Sequence, residues 1–75
     1  MKAATAGDYN LGLLFAKGQG VPRDYVQAYM WFDLSAAQGM PSAIRNRQVA
    51  AEKMTPVQIA EAQKLAREWK PKPER

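Results

Sequence analysis

The stretch that most constrains the fold is residues 11–39, LGLLFAKGQGVPRDYVQAYMWFDLSAAQG, where two apolar segments flank a break rich in glycine and proline. Gly18, Gly20 and Pro22 occupy this break. Glycine adopts the positive φ that ends many helices, and proline cannot continue the helical hydrogen-bond ladder. The pattern therefore predicts two helices that fold back on each other across a turn.

The second of these helices has clear start and stop signals. Asp24 is a favourable N-cap, and Gln27 three residues later predicts a capping box. Gly39 is expected just past the helix end. The first helix, predicted over residues 3–17, carries Gly12 among leucines, which permits close approach of its aromatic neighbour. The aromatic face of the second helix follows a spacing of three and four residues: Tyr25, Ala28, Tyr29, Phe32 and Ala36.

These residues resemble the Sel1-like repeat, a relative of the tetratricopeptide repeats that stacks helical hairpins into a solenoid. The resemblance rests on an LG pair, a GxGVPxD turn, an AxxWF segment, and a closing AA and G. In this chain they are Leu11-Gly12, Gly18-x-Gly20-Val21-Pro22-x-Asp24, Ala28, Trp31-Phe32, Ala36-Ala37 and Gly39. The resemblance implies an all-α fold, a short α-solenoid of antiparallel helical hairpins with about four helices.

Residues 1–70 are expected to form one repeat module, with 3–39 as a full repeat and 40–70 as a degenerate second unit with a capping helix. A step of 36 residues places Arg47 and Gln48 where the first unit has its Leu-Gly pair, and no glycine-rich turn follows. Such degeneracy is expected of an end cap that faces water. Residues 71–75 are rich in proline and charge, and we expect a flexible basic tail.

The second unit also carries helix signals. Pro41 suits the first turn of a third helix, and Thr55, Pro56 and Gln58 predict a capping box at the start of a fourth. The fourth helix is expected to pack through an apolar face that ends at Trp69, which would anchor it to the hairpin. On the third helix, Arg45, Arg47 and Gln48 are expected to be solvated. The expected buried positions of these helices are Met40, Ala43, Ile44, Ala50, Ala51, Met54, Ile59, Ala62, Ala66 and Trp69.

Composition limits the chemistry. The chain has 75 residues, a net charge of +4, no cysteine and no histidine. A disulfide framework, thiol chemistry and a Ser-His-Asp triad are therefore excluded, and a metal site is limited to oxygen ligands. The seven acidic residues are scattered along the chain. We accordingly predict no catalytic, cofactor or metal site. No apolar run approaches the length of a membrane span, and the sequence indicates no compartment.

The resemblance implies a non-catalytic protein-protein interaction or scaffold module, of the kind found in bacterial envelope and signalling proteins and in eukaryotic membrane-protein quality control. The degenerate second unit suggests the C-terminal end of a repeat array. Trp31 and Phe32 are expected to belong to the core. The residues expected to contact a protein or peptide partner are Tyr25, Tyr29, Arg67 and Lys70.

Two further interactions are compatible with the sequence. The chain is basic, and the helix over residues 55–69 is a candidate recognition helix for nucleic acid, but Glu61 and Glu68 alternate with Lys64 and Arg67, which makes this the alternative hypothesis. The N-terminal stacking face, which includes Leu13, Leu14 and Phe15, should expose apolar surface where no repeat precedes it. A homodimer through this face is a second hypothesis.

Overall fold

The computed structural model describes the backbone of residues 6–69 and the side chains of residues 9–69. It contains α1 (Ala6–Lys17), α2 (Tyr25–Ala37), α3 (Pro41–Glu52) and α4 (Pro56–Glu68). No strand occurs in this part of the chain, and the predicted all-α fold is confirmed. The expected helix start at Ala3, the partner-binding candidate Lys70 and the tail 71–75 lie outside the described residues.

Helix α2 is the centre of the fold. It packs against each of the other three helices, whereas α3 and α4 make few close contacts with one another. Every residue from Tyr25 to Ala36 is buried or half-buried. The sequence of α2 explains this position, because Asp33 is its one charged residue and apolar side chains occur on all of its sides. A helix that is apolar all round requires neighbours on several sides.

The connection between α1 and α2 follows the local signals of the sequence. Gly18 and Gly20 have φ of 70° and 82°, conformations that L side chains rarely adopt. Asp24 caps α2 by accepting hydrogen bonds from the backbone N–H groups of Val26 at 3.0 Å and Gln27 at 3.2 Å. No return bond from the Gln27 side chain is seen, so the N-cap is confirmed without a complete capping box.

Helix α4 has the complete capping box that the sequence predicted. The Thr55 hydroxyl accepts from the Gln58 backbone N–H at 3.1 Å, and the Gln58 side chain accepts from the Thr55 backbone N–H at 2.9 Å. Pro56 occupies the first turn, as Pro41 does in α3. Gly39, with φ of 88°, follows the end of α2 as expected.

The core forms where α2 meets its neighbours. Phe32 is 1% exposed and lies directly against Gly12 of α1, where an added Cβ would come within 2.7 Å of its ring. Gly12 therefore allows the close approach of α1 and α2 that the sequence indicated. The Tyr9 ring covers the same side, 5.7 Å from the Phe32 ring. The cluster of buried residues comprises Ala28, Tyr29, Phe32, Ala50 and Ala62.

Two expectations about α3 are wrong. Ile44, expected in the core, is 42% exposed, and Arg47, expected in solvent, is half-buried and pairs with Asp33 at 2.6 Å. The helical period explains both results. Arg47 follows the buried Ala43 by one turn and lies on the packing side, while Ile44 is rotated by about 100° from Ala43.

The spacing of the helices differs between the two units. Helices α1 and α3 end 35 residues apart, at Lys17 and Glu52, whereas α2 and α4 begin 31 residues apart, at Tyr25 and Pro56. The connection explains the difference: residues 18–24 separate α1 from α2, whereas only residues 53–55 separate α3 from α4. Helix α4 therefore begins soon after α3 ends, without the glycine-rich turn of the first unit.

Candidate interaction surfaces

Tyr29, one of the four predicted partner-binding residues, lies in the core. It is 6% exposed, and its hydroxyl accepts a hydrogen bond from Gln63 Nε2 of α4 at 3.2 Å. The side chain is covered because α4 packs along this side of α2. The ring is therefore not available to a partner in the folded chain.

The other predicted site residues are not brought together. Tyr25 is half-buried and packs against the core, while Arg67 is exposed on α4. The pairs Tyr29–Gln63 and Trp31–Trp69 show that α2 and α4 run in the same direction. Tyr25 begins α2 and Arg67 lies near the end of α4, so the two residues are at opposite ends of this helix pair.

The aromatic pair of Trp31, in the middle of α2, and Trp69, just after α4, has the anchoring role predicted for Trp69. Its ring meets the Trp31 ring edge-on, with centroids 5.8 Å apart and an interplanar angle of 71°. Edge-to-face pairs of this kind stabilise packing beyond the area they bury. Phe32 is fully buried as expected, whereas Trp31 is half-buried.

Three polar contacts connect the second unit to the first. Asn46 Nδ2 donates to the Tyr9 hydroxyl at 2.7 Å, Arg47 pairs with Asp33, and Gln63 bonds Tyr29. The sequence analysis missed all three contacts. The sequence positions of these residues do not predict the contacts, because a polar residue at such a position is equally compatible with exposure to water and with a contact to a neighbouring helix.

The exposed large apolar side chains lie mainly on α1 and α3. Leu11 and Leu14 of α1 are 38% and 37% exposed, and Ile44 and Val49 of α3 are 42% and 49% exposed. Val57 at the start of α4 is 77% exposed, and α2 contributes none. Because α2 is antiparallel to both α1 and α3, these two helices run in the same direction, and the Tyr9–Asn46 contact places them side by side.

The four exposed apolar side chains of α1 and α3 divide into three groups by their position around the helices. Leu11 lies on the side of α1 away from α3, which we call the leading edge, next to the half-buried Phe15. Ile44 lies on the side of α3 away from α1, the trailing edge. Leu14 and Val49 point outward from the layer that α1 and α3 form. Leu13 and Phe15, expected to be exposed, are half-buried against the core.

The described residues offer surfaces for contact and no enclosed site. Residues 6–69 contain no cavity, and no three acidic side chains gather there as ligands for a metal ion. None of the described helices is both long and apolar enough to cross a bilayer. The described residues form a small helical body whose candidate sites are its exposed helix faces.

Comparison with known proteins gives the family. Residues 5–40 match the model of the Sel1 repeat, close to the 3–39 unit expected from the sequence. No curated protein and no solved structure matches the chain. Sel1 repeats are non-catalytic modules that mediate protein-protein interactions. Residues 5–40 of the chain therefore form a Sel1 repeat.

Proposed function

We propose that this chain forms the C-terminal end of a Sel1 repeat array and acts there as a non-catalytic interaction module. The observation that carries the proposal is the contrast between the two ends of the fold. The leading edge is apolar, with Leu11 exposed and Phe15 half-buried, whereas the opposite end combines Ile44 of the trailing edge with the exposed Glu61, Lys64 and Glu68 of α4. An internal repeat buries apolar surface on both sides, and a terminal repeat requires one polar side.

A duplicated repeat tests the position in the array. A chain with a second copy of residues 3–39 placed ahead of residue 3 should have a higher free energy of unfolding, because the added unit covers the leading edge. Leu11→Asp in the original copy should remove this gain. The matched control Val57→Asp, on the exposed start of α4, should leave it unchanged.

The opposite extension completes this experiment. The same unit placed after residue 69 should stabilise the chain less, since it would meet the polar side of α4. Equal stabilisation from both ends, measured by urea denaturation, would show that the chain is an internal unit. A gain that survives Leu11→Asp would show that the leading edge is not the stacking surface.

The proposal includes self-association through the leading edge when no repeat precedes it. Two copies of the chain would then cover each other's Leu11 and Phe15. Sedimentation equilibrium over a concentration series should show a dimer that Leu11→Asp converts to a monomer. A wild-type chain that stays monomeric at high concentration would remove this part of the proposal and leave the array position to the duplication experiment.

We propose Tyr25 and Arg67 as partner contacts at opposite ends of the α2–α4 pair. Arg67 is exposed, and Tyr25 is half-buried with part of its side chain accessible. Nucleic-acid binding through residues 55–69 has less support, because Glu61 and Glu68 lie on the exposed surface with Lys64 and Arg67. Binding to DNA that weakened steeply with salt would favour that alternative.

A further inference from the structure

Two polar atoms of α2 are buried without a hydrogen-bond partner among the residues that the structure describes. They are the indole Nε1 of Trp31 and the hydroxyl Oγ of Ser35, a residue that is 1% exposed. Trp31 and Ser35 are four positions apart in sequence, so they lie one turn apart on the same side of α2. Native structures rarely leave buried polar groups unpaired, because the loss of water is then not compensated. The pair therefore indicates a ligand whose atoms the described residues do not supply.

Trp69 packs on this part of α2. Its ring meets the Trp31 ring edge-on with centroids 5.8 Å apart, and both rings are half-buried. Trp69 follows Glu68, the last residue of α4, and its backbone is extended, with φ of −71° and ψ of 133°. Its side chain can therefore leave Trp31 by rotation at one residue, while α4 stays intact. We call Trp31, Ser35 and Trp69 the tryptophan site, which is closed in the free chain, since residues 6–69 contain no cavity.

The unpaired groups determine which ligand fits the tryptophan site. The indole N–H only donates, and the serine hydroxyl can also donate, so the ligand must supply hydrogen-bond acceptors. The two indole rings are apolar, so charges or further N–H groups on the ligand would lose water without gaining a partner. Proline has a backbone carbonyl and no N–H, and the polyproline II conformation leaves its carbonyls free of internal hydrogen bonds. A segment of this kind brings acceptors and apolar rings without an unpaired donor.

We propose that the tryptophan site binds a proline-rich segment of a partner protein in the polyproline II conformation. One carbonyl of the segment would accept from Trp31 Nε1, and another would accept from the Ser35 hydroxyl. Its proline rings would pack against the two indoles after Trp69 turns aside, since such segments bind in grooves lined by aromatic side chains. The inference rests on the proposed interaction function and names the chemistry of one partner.

Donor–acceptor complementarity favours this occupant over the others. An extended segment of other residues carries one N–H per residue, and an α-helix uses its carbonyls in its own hydrogen bonds. A nucleic acid or an acidic segment would place charges against the indole rings, where burial penalises them. Residues 70–75 of the chain itself include Pro71 and Pro73 and are the remaining candidate, and their deletion separates them from a partner.

Nuclear magnetic resonance of the indole N–H groups tests the proposal. The chain has two tryptophans, and both belong to the site, so isotope labelling of the full chain gives two indole signals. Trp69→Phe leaves the Trp31 signal and thereby assigns it. A short oligoproline peptide should shift this signal downfield in a saturable way, because hydrogen bonding deshields the proton. A peptide of alternating alanine and proline, which restores N–H groups, should bind several-fold more weakly. No shift, or equal affinity for the two peptides, would overturn the proposal.

Variants of the two unpaired groups locate the binding. Trp31→Phe keeps a ring and removes the N–H, so it should weaken binding of a fluorescently labelled oligoproline about fivefold, the effect of one neutral hydrogen bond. Ser35→Ala should weaken binding to a similar extent without lowering the free energy of unfolding of the free chain, in which the hydroxyl has no described partner. The matched control Tyr9→Phe removes the polar atom of another half-buried ring, on α1, and should leave the affinity unchanged. Circular dichroism would verify that each variant folds.

Three further outcomes would contradict the inference. Equal weakening by Tyr9→Phe would place the peptide elsewhere. An upfield shift of the Trp31 signal on deletion of residues 70–75, without peptide, would assign the site to the chain itself. Rapid exchange of the Trp31 N–H with solvent in the free chain would show that water already pairs with it. Failure here is distinguishable from failure of the proposed function, because the stability gain of the duplicated repeat depends on Leu11 and not on Trp31.

Discussion

The two helical units of the chain are built differently. In the first, α1 and α2 pack closely, and the buried side chains include Phe32, Tyr29 and Met30. In the second, α3 and α4 each pack on α2 and make few contacts with one another, and their buried residues are all alanines: Ala43, Ala50, Ala62 and Ala66. The large side chains of the core thus come from the first unit, whereas the second unit contributes alanines that dock on α2.

The degenerate second unit is stabilised in a different way from the first. Alanine buries little area, so each position of the second unit contributes little hydrophobic stabilisation. Three polar contacts, a tryptophan pair and a complete capping box supplement it. Stability should therefore respond strongly to changes in the first unit and weakly to changes in the second.

The largest effect is expected for Phe32→Ala. Removing a fully buried ring at the centre of the first unit should cost about 3–5 kcal/mol, enough to unfold a chain of this size. Ala66→Gly, at a buried position of α4, should cost only about 1 kcal/mol. Urea denaturation followed by circular dichroism compares the two. Similar costs would mean that the units are equally important for stability.

Gly12→Ala should have the next largest effect. The new Cβ would lie 2.7 Å from the Phe32 ring, and such overpacking costs about 1–3 kcal/mol, partly offset by about 1 kcal/mol of better helix propensity. The double variant with Phe32→Leu should show coupling between the sites, because the smaller side chain leaves space for the methyl group. Additive costs would show that Gly12 acts through the backbone alone.

Thr55→Ala should destabilise the second unit by about 1 kcal/mol through loss of the α4 cap. Because α4 is held mainly by docking, hydrogen exchange should accelerate in α4 and leave the amides of α1 and α2 protected. Asp24→Ala is the matched change in the first unit and should accelerate exchange in α2 together with its neighbours. Uniform acceleration for Thr55→Ala would argue against a separately docked α4.

The smallest effect is expected for Arg47→Met. The ion pair with Asp33 is short at 2.6 Å, but its side chains are 31% and 28% exposed, so water screens the attraction. The cost should stay below about 1 kcal/mol and should decrease as salt is added. A larger cost that does not depend on salt would show that the pair, and not α2 packing, holds the second unit in place.

The sequence predicted those parts of the fold that depend on local chemistry. The turn glycines, the Asp24 cap and the Thr55–Gln58 capping box act within a few residues, and all three are where the sequence indicated. The close approach at Gly12 was also predictable from the pairing of a small residue with an aromatic helix.

The environments of Tyr29 and Arg47 were not predictable in this way. Both depend on which neighbouring helix covers a given side of α2 or α3, and helical spacing alone does not identify that neighbour. The candidate surfaces have the same limit. Leu11 lies on the first helix and Val49 on the third, but the placement of Leu11 at the leading edge and of Val49 on the outward side follows from the Tyr9–Asn46 contact.

The alanine-lined packing of the second unit has a consequence for how such sequences diverge. A position that buries one methyl group accepts many small substitutions, whereas a ring held against a glycine accepts few. Drift should therefore erase the repeat pattern first in α3 and α4 and last around Gly12 and Phe32. The family match, which ends at residue 40, stops where this weaker constraint on the sequence begins.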